Sequence, residues 1–77
     1  MMEIKMPLLG QRLKLLRSER GVTQQDIANL LGKTSRHYQA IESGEINLPA
    51  LTLIKLADYF DVSLDYLVGR SEDRRRY

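Results

Sequence analysis

Apolar residues return at helical spacing between Pro7 and Glu19, where Leu9, Leu13 and Leu16 mark one face. Pro7 suits the first turn of a helix, where its missing N–H costs nothing. Gly21 supplies the left-handed turn that ends it. In "VTQQDIANLLG", Thr23 is placed to cap a second helix, and Asp26 completes a short capping box. Ile27, Ala28, Leu30 and Leu31 form its apolar side, and Gly32 stops it. A third helix runs from a Thr34 cap to a stop at Gly44. Pro49 opens a fourth, with Leu51, Leu53, Ile54, Leu56, Ala57 and Phe60 as its apolar face. Asp61 takes its left-handed stop, which Asp tolerates better than most residues. Ser63 caps a short fifth helix, Leu64 to Val68, ended by Gly69. No strand alternation and no internal repeat is visible. The pattern predicts an all-α, compact five-helix domain over residues 7–69. An N-terminal arm, 1–6, precedes it. The tail "RSEDRRRY", 70–77, has no apolar period and is expected to be a frayed, flexible basic segment.

The third helix has the thinnest apolar stripe. In "GKTSRHYQAIESG" only Tyr38, Ala40 and Ile41 are apolar. With Tyr38 at the origin and about 100° per residue, Ile41 lies near Tyr38, while Arg36, Gln39, Ala40 and Ser43 fall on the far side. The helix therefore rests on Tyr38 and Ile41. An idle surface helix would carry Glu and Lys on the remaining face. This one carries Arg, Gln, Ser and Ala.

Composition narrows the function. Seventy-seven residues make at most one domain, and a chain this short buries only about 60–65% of its unfolded surface. There is no cysteine, so neither a disulfide nor thiolate chemistry is available. One histidine and no phosphate-cradling glycine loop leave no catalytic triad and no zinc site. The chain is expected not to be an enzyme and to need no metal or cofactor. No apolar run approaches the roughly 18 residues that span a bilayer, and the N-terminus does not read as a signal peptide. A cytoplasmic location is expected, with no membrane partner.

Net charge is only +2, but it is unevenly placed. Residues 1–44 carry seven basic side chains against four acids; residues 45–69 carry Lys55 against Glu45, Asp58, Asp61 and Asp65. A mildly basic front and an acidic back fit a protein that offers one face to a polyanion, although scatter over a small surface would look similar.

A helix, a short turn and a second helix, with Ala28 near the start and Gly32 at the turn, form a helix-turn-helix pattern. Ala28 must be small where the third helix crosses it, and Gly32 must accept a positive φ. Ile27, Leu31, Tyr38 and Ile41 must fill the space between the two helices. The longer string "LRSERGVTQQDIANLLGKTSRHYQAIESGE…LIKLADYFDVSLDYLVG" resembles the Cro and lambda-repressor family, also called the xenobiotic-response-element family. The likeness covers about residues 9–69, and "TQQDIA" and "ADYFDVSLDYLVG" are its most specific parts.

The resemblance implies a DNA-binding domain whose third helix enters the major groove. Carried over by position, Ser35, Arg36, Gln39, Ala40 and Ser43 face the bases. Gln24, Lys33, Thr34 and His37 lie toward the phosphate backbone. Arg17 and Glu42 match an inward ion pair between the first and third helices. Tyr38 and Lys33 depart from the family's usual aliphatic residues, and Glu45 stands where many relatives carry a basic residue. Arg36 can pair with guanine or with a phosphate; Gln39 can pair with adenine, phosphate or water. Leu8, Leu15, Tyr59, Tyr66 and Val68 are candidates for a dimer interface. The function implied is a transcriptional regulator, a repressor that binds an inverted-repeat operator on double-stranded DNA as a homodimer, with no small-molecule effector. A second possibility is an antitoxin-like module whose main partner is a toxin protein.

Overall fold

Caps and stops divide the chain into five helices, and the computed structural model describes them over residues 7–76: α1 (Pro7–Arg20), α2 (Gln24–Leu31), α3 (Ser35–Glu42), α4 (Ala50–Phe60) and α5 (Leu64–Leu67). The expected arm, 1–6, and Tyr77 lie outside the described residues. There is no strand among the described residues.

The α2 N-terminus is closed reciprocally. The Thr23 hydroxyl accepts from the Asp26 N–H at 3.0 Å, and the Asp26 carboxylate accepts from the Thr23 N–H at 2.8 Å. Thr34 caps α3 by accepting from the His37 N–H at 3.1 Å, and Ser63 caps α5 through the Tyr66 N–H at 3.0 Å. Between α2 and α3 the chain turns at Gly32, φ 68°, which lets the Lys33 N–H reach the Ala28 carbonyl at 2.9 Å. Asp61 occupies the left-handed position after α4, φ 56°, and the Val62 N–H closes on the Ala57 carbonyl at 3.0 Å.

The core draws on every helix: Leu9, Leu13 and Leu16 of α1, Ile27 and Ala28 of α2, Tyr38 and Ile41 of α3, Leu53, Leu56, Ala57 and Phe60 of α4, and Tyr66 and Leu67 of α5. Val62, in the α4–α5 turn, joins them. Each large side chain so buried contributes about 1.5–3 kcal/mol relative to exposure, before the entropy of ordering is subtracted.

Three expectations need correction. Leu51 and Ile54 are not on the buried face of α4. Leu51 is 81% exposed and Ile54 43%. The core stripe follows positions 53, 56, 57 and 60; Ile54 falls on its flank and Leu51 on the opposite side of the helix. Tyr66 is not a surface candidate for pairing: it is 5% exposed, with the Arg12 guanidinium 4.2 Å from its ring centre. Val68, Tyr59 and Leu8 are half-buried, and Leu15 is exposed.

The third correction concerns the tail, which is held against the helices over residues 70–76. The Ser63 N–H donates to the Arg74 carbonyl at 2.8 Å, and the Ser63 hydroxyl to the Asp73 carbonyl at 3.0 Å. Arg74 forks onto Glu19 at 2.8 and 2.9 Å. Hydrogen bonds and charge hold this segment, so the lack of apolar periodicity gave no sign of it.

Candidate nucleic-acid interface

α2 and α3 pack through fully buried side chains. Ile27, Ala28 and Tyr38 have no exposed surface, and Ile41 has 1%. Leu31 is partly buried against the same cluster. Seated on Tyr38 and Ile41, α3 turns Arg36, Gln39 and Ser43 to solvent, with Ser35, His37 and Ala40 half-buried. Lys33 and Thr34 are exposed at its N-terminal end.

The polar side chains of this surface fall into two groups. Ser35 and Ser43 are engaged within the protein. The Ser35 hydroxyl donates to the Gln25 side-chain carbonyl, and Gln25 in turn donates to Asn29 at 2.8 Å. The Ser43 hydroxyl shares its single proton between the Ala40 carbonyl at 3.0 Å and the Glu45 carboxylate at 3.1 Å. Arg36 and Gln39 are exposed, and neither side chain forms a hydrogen bond or ion pair with the described residues. Three residues apart on a helix, they are neighbours on one face.

Beneath that face lies a polar junction. The Arg17 Nε donates to a Glu42 carboxylate oxygen at 2.8 Å, and its Nη2 to the other oxygen at 3.3 Å. The Gln24 side-chain amide also donates to Glu42, at 3.2 Å. One carboxylate thus ties α1, the start of α2 and the end of α3 together. Burial pushes the Glu42 carboxyl up, but the Arg17 guanidinium, with help from the Gln24 amide, more than offsets it and holds the group below its usual range. The hydrogen bond to Glu42 raises the Arg17 guanidinium, against an opposing effect of burial. Tyr38 brings a hydroxyl into this interior without a hydrogen bond to any of the described residues. Burial is the main reason its ionisation is pushed far above the usual tyrosine value, and the neighbouring Glu42 charge adds to it.

Sequence reasoning placed Gln24 beside a phosphate; in the structure its amide is bound to Glu42, and its main-chain N–H sits in the first turn of α2, at the positive end of the helix dipole. Two contributors went unnoticed. Gln25 holds Ser35, and Gly10 allows α1 to meet the main chain of α3. A lone glycine inside a helical pattern was the available signal for the second; a doubled glutamine at a helix start gives no comparable signal.

Among the described residues no cluster of His, Cys, Asp or Glu is placed to hold a metal, and no helix is long and apolar enough to cross a membrane.

The helix-turn-helix domain family matches residues 10–70. The uncharacterized HTH-type transcriptional regulator YqaE of Bacillus subtilis (strain 168) is 38% identical over 68 residues, covering 87% of this chain and 59% of that protein. The SPbeta prophage-derived uncharacterized HTH-type transcriptional regulator YonR of the same organism is 38% identical over 61 residues, covering 79% and 56%. The HTH-type transcriptional regulator ImmR, also from B. subtilis, is 36% identical over 64 residues, covering 83% and 50%. The chain spans between half and three-fifths of the length of these relatives. No solved structure gives a significant match. The match across residues 10–70, and the α2–turn–α3 unit that lies within it, identify the chain as a member of the Cro/C1-type helix-turn-helix family.

Proposed function

We propose that the chain is a sequence-specific DNA-binding transcriptional regulator, a repressor that inserts α3 into the major groove of an inverted-repeat operator. The observation that carries this reading is the pair Arg36 and Gln39, exposed side by side on α3 with no hydrogen-bond or ion-pair partner among the described residues, on a helix whose opposite edge is locked into the core. Arg36 reads guanine as a bidentate donor, worth about 1–3 kcal/mol of discrimination, and Gln39 reads adenine. Ser35, Ala40 and Ser43 complete the base-facing side. Lys33, Thr34, His37 and the Gln24 end of α2 face the phosphates. Glu45, exposed just past α3, opposes the phosphate charge and keeps sequence-independent affinity low.

Two copies act together in this reading, their third helices about 34 Å apart on the duplex. Leu51, Ile54 and Leu64 are exposed large apolar side chains of α4 and α5, and they supply the pairing surface together with the half-buried Val68. The names of YqaE, YonR and ImmR as transcriptional regulators support the regulatory role.

Selection of bound duplexes from a random pool tests the proposal. It is expected to return a two-fold symmetric site, with one base pair per half-site whose preference is relaxed in Arg36→Ala. A variant that weakens all sequences equally would make Arg36 a phosphate contact, and recovery of no preferred sequence would remove the reading.

A further inference from the structure

Residues 70–76 carry four arginines, yet the structure does not present them as a loose basic arm. Arg74 forks onto Glu19 of α1, Arg75 pairs with Asp73 at 2.7 Å, and Arg76 pairs with Asp58 at the end of α4 and lies 3.6 Å from Asp61. Three of the four cations are therefore matched to acids of the same chain. The backbone of the segment is fixed as well. Its Arg74 and Asp73 carbonyls accept from Ser63, and the Arg70 N–H donates to the Asp65 carbonyl at 2.8 Å.

The core depends on this arrangement. Arg12, in the middle of α1, is 8% exposed, the one buried charged residue among those described. Its guanidinium donates to the Ser71 carbonyl at 2.7 Å, to Glu72 at 3.0 Å and to the Tyr66 carbonyl. Two of these three partners belong to the tail. An interior cation deprived of them would carry a desolvation penalty without compensation. Two guanidinium groups lie over the Tyr66 ring, Arg12 at 4.2 Å and Arg74 at 5.1 Å from its centre.

We propose that residues 70–76 form an autoinhibitory clasp that occupies the tail arginines with Glu19, Asp58 and Asp61 and so keeps them off polyanions. Each surface pair is weak and screened by salt. Their strength lies in proximity: tethered acids meet the arginines at an effective concentration that phosphates in solution do not match. The clasp thereby removes a sequence-independent contribution to duplex binding and leaves discrimination to α3. This consequence for DNA rests on the proposed function; the clasp itself does not.

The test combines a structural and a binding readout on the full chain. Hydrogen exchange of the Ser63 N–H reports docking directly, because its acceptor is the Arg74 carbonyl. It is expected to be protected at low salt and to exchange at least about tenfold faster in Glu19→Gln/Asp58→Asn. Binding is measured against a random-sequence duplex and against heparin over a salt series. Arg74→Ala/Arg76→Ala is expected to leave the slope of log affinity against log salt unchanged. Glu19→Gln/Asp58→Asn should steepen it by about one to two, and adding Arg74→Ala/Arg76→Ala to that variant should cancel the gain. An unprotected Ser63 amide, or a slope that falls by about one for each arginine removed from the native chain, would overturn the clasp. A response to heparin without any duplex binding would uphold the clasp and sink the DNA reading instead.

Discussion

Gly10 of α1 lies directly against the main-chain carbonyl of Glu42 at the end of α3: a Cβ placed on Gly10 would sit 2.0 Å from that oxygen. The side chain of the same Glu42 is held by Arg17, two helical turns further along α1. α3 is thus fixed at its C-terminal end through both backbone and side chain. Its tilt, and with it the direction in which Arg36 and Gln39 point, is set by α1, an element outside the helix-turn-helix unit.

Gly10→Ala therefore has no cheap accommodation. The obstructing atoms are backbone, so α1 and α3 must separate. A loss of about 1–3 kcal/mol in urea unfolding is expected, together with weaker binding to the selected operator. Unchanged stability would mean that the two helices do not approach this closely.

The local signals in the sequence, Thr23, Thr34 and Ser63 as caps and Gly32 and Asp61 as left-handed stops, are matched by the structure because each acts through one or two neighbouring backbone groups. The exposed Arg36 and Gln39 were legible for a related reason: periodicity alone separates the two sides of a helix resting on Tyr38 and Ile41. What periodicity could not show was anything depending on long-range contact. It did not reveal that Tyr66 would be covered by Arg12, that Gln24 would turn toward Glu42, or that an arginine-rich tail would find its acids on α1 and α4. On α4 the period itself sets Leu51 opposite positions 53, 56, 57 and 60, so a single face of six apolar residues was too wide.

Tyr38 tests how that interior tolerates a polar atom. Its ring is fully buried, and its hydroxyl has no hydrogen-bond partner among the described residues. Tyr38→Phe keeps the ring and removes the group that burial leaves unsatisfied, so stability is expected to hold or to rise by about 1 kcal/mol. A loss of more than that in chemical denaturation would show that the hydroxyl is bound to Glu42 or Arg17.

Stability should also depend on pH through Glu42. Its carboxyl is held below the ordinary value of 4.5 in the folded chain. A lowered folded pKa means that the stabilisation is complete above the unfolded value and is lost as pH falls through the folded one. The urea midpoint is expected to be flat from neutrality to about pH 5.5 and to drop below it. Glu42→Gln should flatten that drop and lower stability at pH 7 by about 1.5–3 kcal/mol. Glu19 shifts in the same direction through Arg74, but it is exposed, so its share should disappear in high salt. An acid limb unchanged by Glu42→Gln would place the titration elsewhere.

Pairing of two copies makes a separate demand on the surface. Ile54 is 43% exposed on α4, and with Leu64 it lines a shallow cleft between α4 and α5. Sedimentation at micromolar concentration is expected to show a dimer for the native chain and a monomer for Ile54→Glu, with circular dichroism unchanged. A native chain that stays monomeric both alone and on an operator fragment would rule out the symmetric mode of binding.

The most direct measurement of the central claim is a map of backbone amide shifts as labelled protein is titrated with the selected duplex at low ionic strength. If the Arg36–Gln39 side of α3 enters the groove, the largest changes will fall on residues 33–43 and on Gln24, while the outer surfaces of α4 and α5 respond only where two copies meet. Changes confined to α4, α5 and the tail, or no complex with any duplex, would contradict it.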